Sequence, residues 1–235
     1  MFEMKLDVFL VLVAAAAVSA QRPCCFPKQI MQGIGTTGVY TSPEGTQPSS
    51  TFIYGAFDFE ERQFGFDISV DYLNGTTIFF KMIQHYAEKT QWVILADYGL
   101  CLKQPAYEPE PSNCIHEGSR YDGNFVSGGP NGLKVKSYTY DYVHPWEALH
   151  GLSTVTVTED SCFFVGSSFL GTRNDIPKGS SIFETSGFIN TTVGIEDPER
   201  WLRLPEVCRK QSNMTSSALP KHLPDLSKIR IPRFF

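Results

Sequence analysis

The sequence predicts an all-β chain, a sandwich or barrel built from many short strands. Three observations carry that expectation. Residues 63–71 alternate strictly, with Phe64, Phe66, Ile68 and Val70 on one face and Gly65, Asp67, Ser69 and Asp71 on the other; this is the two-residue period of a half-buried strand. Turn clusters such as Asn74-Gly75 and Gly128-Gly129-Pro130-Asn131-Gly132 separate one apolar run from the next, and both are strong chain-reversal signals. No long stretch keeps the three-to-four-residue spacing of an amphipathic helix.

The elements follow in chain order. Residues 1–20 read as a signal peptide, with an apolar run from Val8 to Val18 and the small-residue site Val18-Ser19-Ala20, so that Gln21 begins the mature chain. The run is shorter than the about 20 residues a membrane span needs. Residues 26–50 are rich in Gly, Ser, Thr and Pro. Here Gly33-Ile34-Gly35-Thr36-Thr37-Gly38, with Asp58 downstream, imitates a dinucleotide fingerprint. A β-prone piece and a turn follow it instead of a helix, so the glycines are read as flexible turn residues.

Thr77 to Tyr86 and Gln91 to Ala96 are apolar runs joined by the polar turn Ala87-Glu88-Lys89-Thr90, a hairpin buried on both faces or nearly so. Residues 105–111 form a proline- and acid-rich loop. Leu133 to Tyr142, Leu152 to Thr158 and Cys162 to Phe169 are strands, and Ile182 to Ile195 holds one or two more. One short helical turn is expected, with Asp197 as N-cap and Pro198 at its first position. The domain therefore spans residues 21–208. Residues 209–235 carry six Lys/Arg against the single acid Asp225 and read as a basic tail outside the core.

Composition excludes some functions. A net charge of −5 over 235 residues lacks the basic footprint of a general nucleic-acid binder. No G-x-S-x-G elbow, H-E-x-x-H pair or phosphate-binding loop occurs, so no catalytic group is named and the chain is read as a non-enzyme. His144 and His150 lack a zinc-like pattern and are ordinary loop histidines. Asp58, Glu60, Glu61, Asp67 and Asp71 are oxygen donors of the kind calcium accepts, but no EF-hand loop orders them. They read as solvated strand faces, and the metal residues stay unassigned.

Six cysteines, Cys24, Cys25, Cys101, Cys114, Cys162 and Cys208, all follow the leader; an even number in an oxidising compartment reads as three disulfides. The adjacent Cys24 and Cys25 sit about 3.8 Å apart at their Cα atoms, too close to bridge each other readily, so each reaches a different partner. Asn74, Asn190 and Asn213 head N-glycosylation sequons. Phe64, Phe66, Ile68, Phe80, Met82, Trp92, Ile94, Tyr138 and Tyr140 supply apolar strand surface that can line a cavity or fill a core.

These residues together resemble the ependymin-related family of secreted glycoproteins, over most of residues 22–208. The likeness rests on Arg22-Pro23-Cys24 with Pro27, on the paired strands closing at Cys101, and on Ser127-Gly128-Gly129-Pro130. It rests further on Thr158-Glu159-Asp160-Ser161-Cys162, and on Gly194-Ile195-Glu196-Asp197-Pro198 running to Pro205 and Cys208. Cys25 and Cys114 look like the invertebrate-type branch, while the tail departs from the family.

The resemblance implies two stacked, curved antiparallel sheets, a half-open barrel similar to bacterial lipoprotein carriers, with an apolar cavity between them. It also implies a homodimer, lipid or fatty-acyl ligands, calcium association, and extracellular or lysosomal residence. Cys101 is expected to pair with Cys208, Cys24 with Cys162 and Cys25 with Cys114, the two members of the doublet being interchangeable. A secreted lipid-binding glycoprotein is the leading expectation. A matrix or cell-adhesion protein acting through calcium, glycans and dimer contacts is the second.

Overall fold

Alternating strands with one apolar face must bury that face, and a chain made of hairpins does so by curling one sheet over itself. The computed structural model describes residues 24–43, 45–73, 75–106, 110–144, 149–173 and 180–210. The signal segment, Asn74, Pro145-Trp146-Glu147, Asn213 and the tail beyond Lys210 lie outside them. No helix among the described residues is long and apolar enough to cross a membrane.

Among the described residues, eleven strands form one antiparallel sheet. They are β1 (Gln29–Ser42), β2 (Gly45–Asp58), β3 (Gln63–Tyr72), β4 (Thr77–His85), β5 (Thr90–Leu95), β6 (Leu100–Pro105), β7 (Arg120–Ser127), β8 (Leu133–His144), β9 (Leu149–Thr158), β10 (Phe164–Arg173) and β11 (Ser181–Val193). Their order in the sheet is β6-β5-β4-β3-β2-β1-β11-β10-β9-β8-β7. Two meanders, β1–β6 and β7–β11, are thus joined where β1 pairs with β11. The expected all-β fold is confirmed, with one refinement: the two stacked layers are halves of a continuous sheet whose edges, β6 and β7, do not pair with each other.

The halves share one core. Ile53, Phe57, Phe64, Phe66, Ile68, Phe80 and Met82 from the first meander cluster with Tyr138, Tyr140, Val155, Val157 and Phe164 from the second. Phe26 bridges them, edge-on to Phe59 at 5.3 Å and to Phe164 at 4.8 Å. Each fully buried phenylalanine contributes about 1.5–3 kcal/mol of transfer free energy.

Three disulfides add covalent ties. Cys24 bonds Cys162, Cys25 bonds Cys114, and Cys101 bonds Cys208. The neighbours of the doublet therefore do diverge, Cys24 to the second meander and Cys25 to the crossover segment between β6 and β7.

Two short helices, α1 (Pro198–Leu202) and α2 (Glu206–Lys210), cover part of the outer face. Asp197 caps α1 as expected, its side chain accepting the Arg200 N–H at 3.2 Å. Trp201 packs there with Met31 and Ala56. α2 holds Arg209 and Lys210, so helix continues two residues into the segment read as tail.

Three expectations need correction. His144 and His150, read as loop histidines, lie in β8 and β9. The glycines of residues 33–38 are not turn residues; they lie inside the 14-residue strand β1. At Gly33 and Gly38 a Cβ would come within 2.9 Å of the Ile189 and Glu184 side chains of β11, so they serve close strand-to-strand packing. Trp92 and Ile94 do not face the inner core. They cluster with Ile83, Cys101 and Cys208 on the outer face, while their neighbours Val93 and Leu95 point inward. α2 and its disulfide shield that outer side, which is why β5 is apolar on both faces.

Candidate functional site

Strand register decides which side chains meet on the inner face. On the second meander Glu184 of β11 is opposite Phe169 of β10, Phe169 opposite Ser153 of β9, and Ser153 opposite Tyr140 of β8. β1 continues this row at Gly38. A neighbouring row places Thr36, Ser186, Ser167 and Val155 side by side.

These rows enclose a pocket lined by Tyr140, Tyr142, Ser153, Val155, Phe164, Ser167, Ser168, Phe169, Glu184, Ser186 and Phe188. It holds about 30 Å³ of free space, room for about one water molecule. Aromatic rings form its walls. Tyr142 meets Phe169 edge-on at 5.7 Å, and Phe164 lies 5.4 Å from Phe188.

The polar floor is knitted together. Thr36 Oγ1 and Ser186 Oγ are 2.8 Å apart. Burial pushes the Tyr140 hydroxyl pKa up, partly offset by its hydrogen bond with Ser153. On its far side the Tyr140 ring stacks on His116 at 5.2 Å. The arrangement sets aromatic walls beside four serines and one carboxylate, a mixed lining that can hold an apolar chain and orient a polar group.

Of the residues expected to line a cavity, Tyr140 lines this pocket. Phe64, Phe66, Ile68, Phe80, Met82 and Tyr138 lie on the inner face and fill the core. Glu184, Phe169, Phe188, Tyr142 and Phe164 were not anticipated. The faint sequence signal for them is the alternation Ile182, Glu184, Ser186, Phe188, one face that mixes apolar and polar groups.

The carboxylates considered for calcium go to separate tasks. Asp58 is buried and accepts the N–H groups of Glu60 and Glu61 at 3.1 and 2.9 Å, ordering the β2–β3 turn. Asp67 pairs with Arg200 at 3.5 Å, and Asp71 accepts from Thr77 at 2.6 Å. Among the described residues no group of three or more His, Cys, Asp or Glu is placed to hold a metal. The His150 ring nitrogen Nδ1 lies 3.2 Å from Thr172 Oγ1, and Asn190 is exposed on β11 at φ 51°. A second cleft, about 430 Å³ on the outer face, has Lys81, Arg200, Arg203 and Arg209 interleaved with Glu199 and Glu206. Arg203 is bonded to Glu199 within it.

Residues 74–208 match the model of the Ependymin family. The chain is also 34% identical over 183 residues to the development-specific protein LVN1.2 of Lytechinus variegatus, covering 75% of this chain and 95% of that protein. The chain belongs to the Ependymin family. The ependymin match ends at Cys208, the last disulfide partner, so the basic tail lies outside it. Among solved structures, a domain assigned as an outer membrane lipoprotein-sorting protein from Vibrio parahaemolyticus aligns over 73% of this chain and 88% of its own. Its sequence identity is 10% and its TM-score 0.28. A DUF1329 family protein from Desulfovibrio piger aligns over 80% and 92%, again at 10% identity and a TM-score of 0.28. Neither structural match bears on function.

Proposed function

We propose that this ependymin-family protein is a secreted, non-enzymatic binder of a lipid or similar hydrophobic molecule, held between the two halves of its sheet. The observation that carries the reading is the inner face itself. It is a continuous aromatic and aliphatic surface that ends in a pocket with aromatic walls and a small polar floor. An acyl chain gains about 0.8 kcal/mol for each methylene removed from water, so such a surface binds without catalytic groups. The free space is small, so the ligand enters by parting the Tyr142–Phe169 and Phe164–Phe188 contacts, and its chain replaces them.

Thermal unfolding of delipidated protein tests this. A long-chain amphiphile at a hundredfold excess over its dissociation constant stabilises by about 2.7 kcal/mol and raises the melting temperature. A well-folded, delipidated protein whose melting temperature no such compound raises would overturn the reading.

The outer face favours a homodimer as the working form. Val39, Phe183, Leu170 and Leu152 form an exposed apolar row across β1, β11, β10 and β9. Contiguous exposed apolar surface of this kind marks an interaction site.

A further inference from the structure

Gln32 is a polar side chain buried in the shared core. It lies on the inner face of β1 between Ile30 and Ile34, both members of the core cluster, and its relative exposure is 0%. Its amide Nε2 donates to Thr191 Oγ1 at 3.0 Å, while Oε1 has no hydrogen-bond partner among the described residues. A buried acceptor left in this way is costly, and rare enough in folded proteins to call for an explanation. The backbone beside it is irregular. The β1–β11 register shifts between Met31 and Gly33, and Asn190, next to Thr191, takes φ 51°. A bulge of this kind re-aims side chains and recurs beside functional sites. On the other side Gly55 of β2 is directly opposite Gln32, and the Phe66 ring lies over that glycine, 2.6 Å from where a Cβ would stand. The pocket is close by. Ile34, two residues along β1, is opposite Phe188, which lines it; two residues of strand span about 7 Å.

We infer that Gln32 sets the head-group preference of the site: its Oε1 accepts a hydrogen bond from an uncharged donor, the hydroxyl of a long-chain alcohol or monoacylglycerol. The inference rests on the lipid-binding reading above. A ligand that parts the Phe164–Phe188 contact opens the inner face towards the Gln32 row. Its hydroxyl then stands at Oε1 and its chain runs back between the rings of the pocket. Nε2 stays on Thr191, so the amide presents an acceptor and selects a donor. An ionised head group is excluded at this depth, because one neutral amide oxygen does not offset the cost of taking a charge out of water. A methyl ether of the same chain fills the same space and leaves Oε1 unpaired.

The test compares oleyl alcohol with oleyl methyl ether, the same chain with its donor capped. Each displaces a fluorescent acyl probe from the delipidated full chain. The alcohol should bind about tenfold more tightly than the ether, a factor that corresponds to about 1.4 kcal/mol. Gln32→Met keeps the length of the side chain and removes the open acceptor, and should bring the two ligands to within about threefold. Circular dichroism confirms that the variant is folded. Equal affinity for the two ligands in the wild type overturns the head-group inference, and this comparison decides even where the variant does not fold. An alcohol preference that survives in folded Gln32→Met overturns it as well, and assigns the hydroxyl to the pocket serines Ser153, Ser167, Ser168 or Ser186. Both results leave the lipid reading standing. Failure of both ligands to displace the probe from folded wild-type protein overturns the lipid reading itself.

Discussion

The carbonyl oxygen of Trp201 occupies the place where a side chain on Gly65 would begin, 2.1 Å from the Cβ position. β3 presents bare backbone at that point, and α1 rests directly on it. The Trp201 ring then packs over Met31 and Ala56 and carries Lys81 and Arg200 on its faces, at 5.2 and 4.7 Å from the ring centre. One glycine thus decides whether α1 can cover the outer face.

Gly65→Ala is accordingly expected to lift α1 or bend β3. Overpacking of this kind costs about 1–3 kcal/mol. Urea denaturation should show a lower midpoint with an unchanged slope. A midpoint equal to that of the wild type would mean that α1 is not held by this contact.

The Cys101–Cys208 disulfide ties the β6 edge of the sheet to α2 across 107 residues of chain. In the chain-entropy model a loop of that length contributes about 4–5 kcal/mol through the unfolded state. Replacing both cysteines by alanine should lower stability by an amount of that order and expose Trp92, which is buried in the same cluster. The readouts are the denaturation midpoint and a red shift of native tryptophan emission. Alkylation of the unreduced wild type should label none of the six cysteines, since none is free.

Much of the fold was legible in the sequence, and the misses share a cause. β3 could be read directly, because Phe64, Phe66, Ile68 and Val70 alternate with small or polar residues. β1 could not, because Gly33, Gly35 and Gly38 signal a turn in isolation. Only the pairing of β1 with β11 reveals that Gly33 and Gly38 serve close packing. Val93 and Trp92 look alike in sequence, and their opposite faces become distinct once α2 is known to cover one of them. The pocket was the least legible part. Glu184 and Tyr140 are 44 residues apart and become members of one row through three successive strand pairings. No local pattern encodes that row.

Tyr140 makes a pH prediction. Burial raises its hydroxyl pKa above the ordinary tyrosine value, about 10 in the unfolded chain. Above that pH the unfolded state loses this proton more readily than the folded state does. The stability tied to the shift is therefore complete below pH about 10 and is lost as pH rises through the folded value. Tyr140→Phe should remove this component, so that the melting temperature falls less steeply above pH 10 than in the wild type. Parallel profiles for the two proteins would show that the shift carries no linked stability.

The exposed row Val39, Phe183, Leu170 and Leu152 gives the final prediction. The four residues are 37%, 48%, 60% and 47% exposed, and each is directly opposite the next across the sheet. Directly opposed side chains on neighbouring strands lie about 4.5–5.5 Å apart, so the row is a continuous apolar ridge. A second copy of the chain brings an identical ridge, and a two-fold axis lets the two cover each other with no third component. Phe183→Asp combined with Leu170→Asp should therefore convert a dimer to a monomer in light scattering after size exclusion. Both changes are on the solvent face, where substitutions usually alter stability by less than about 0.5 kcal/mol. The inner face is untouched, so binding of a C18 amphiphile should persist in the monomer. A wild type that is monomeric at micromolar concentration, or a double variant that remains dimeric, would place the dimer contact elsewhere or remove it.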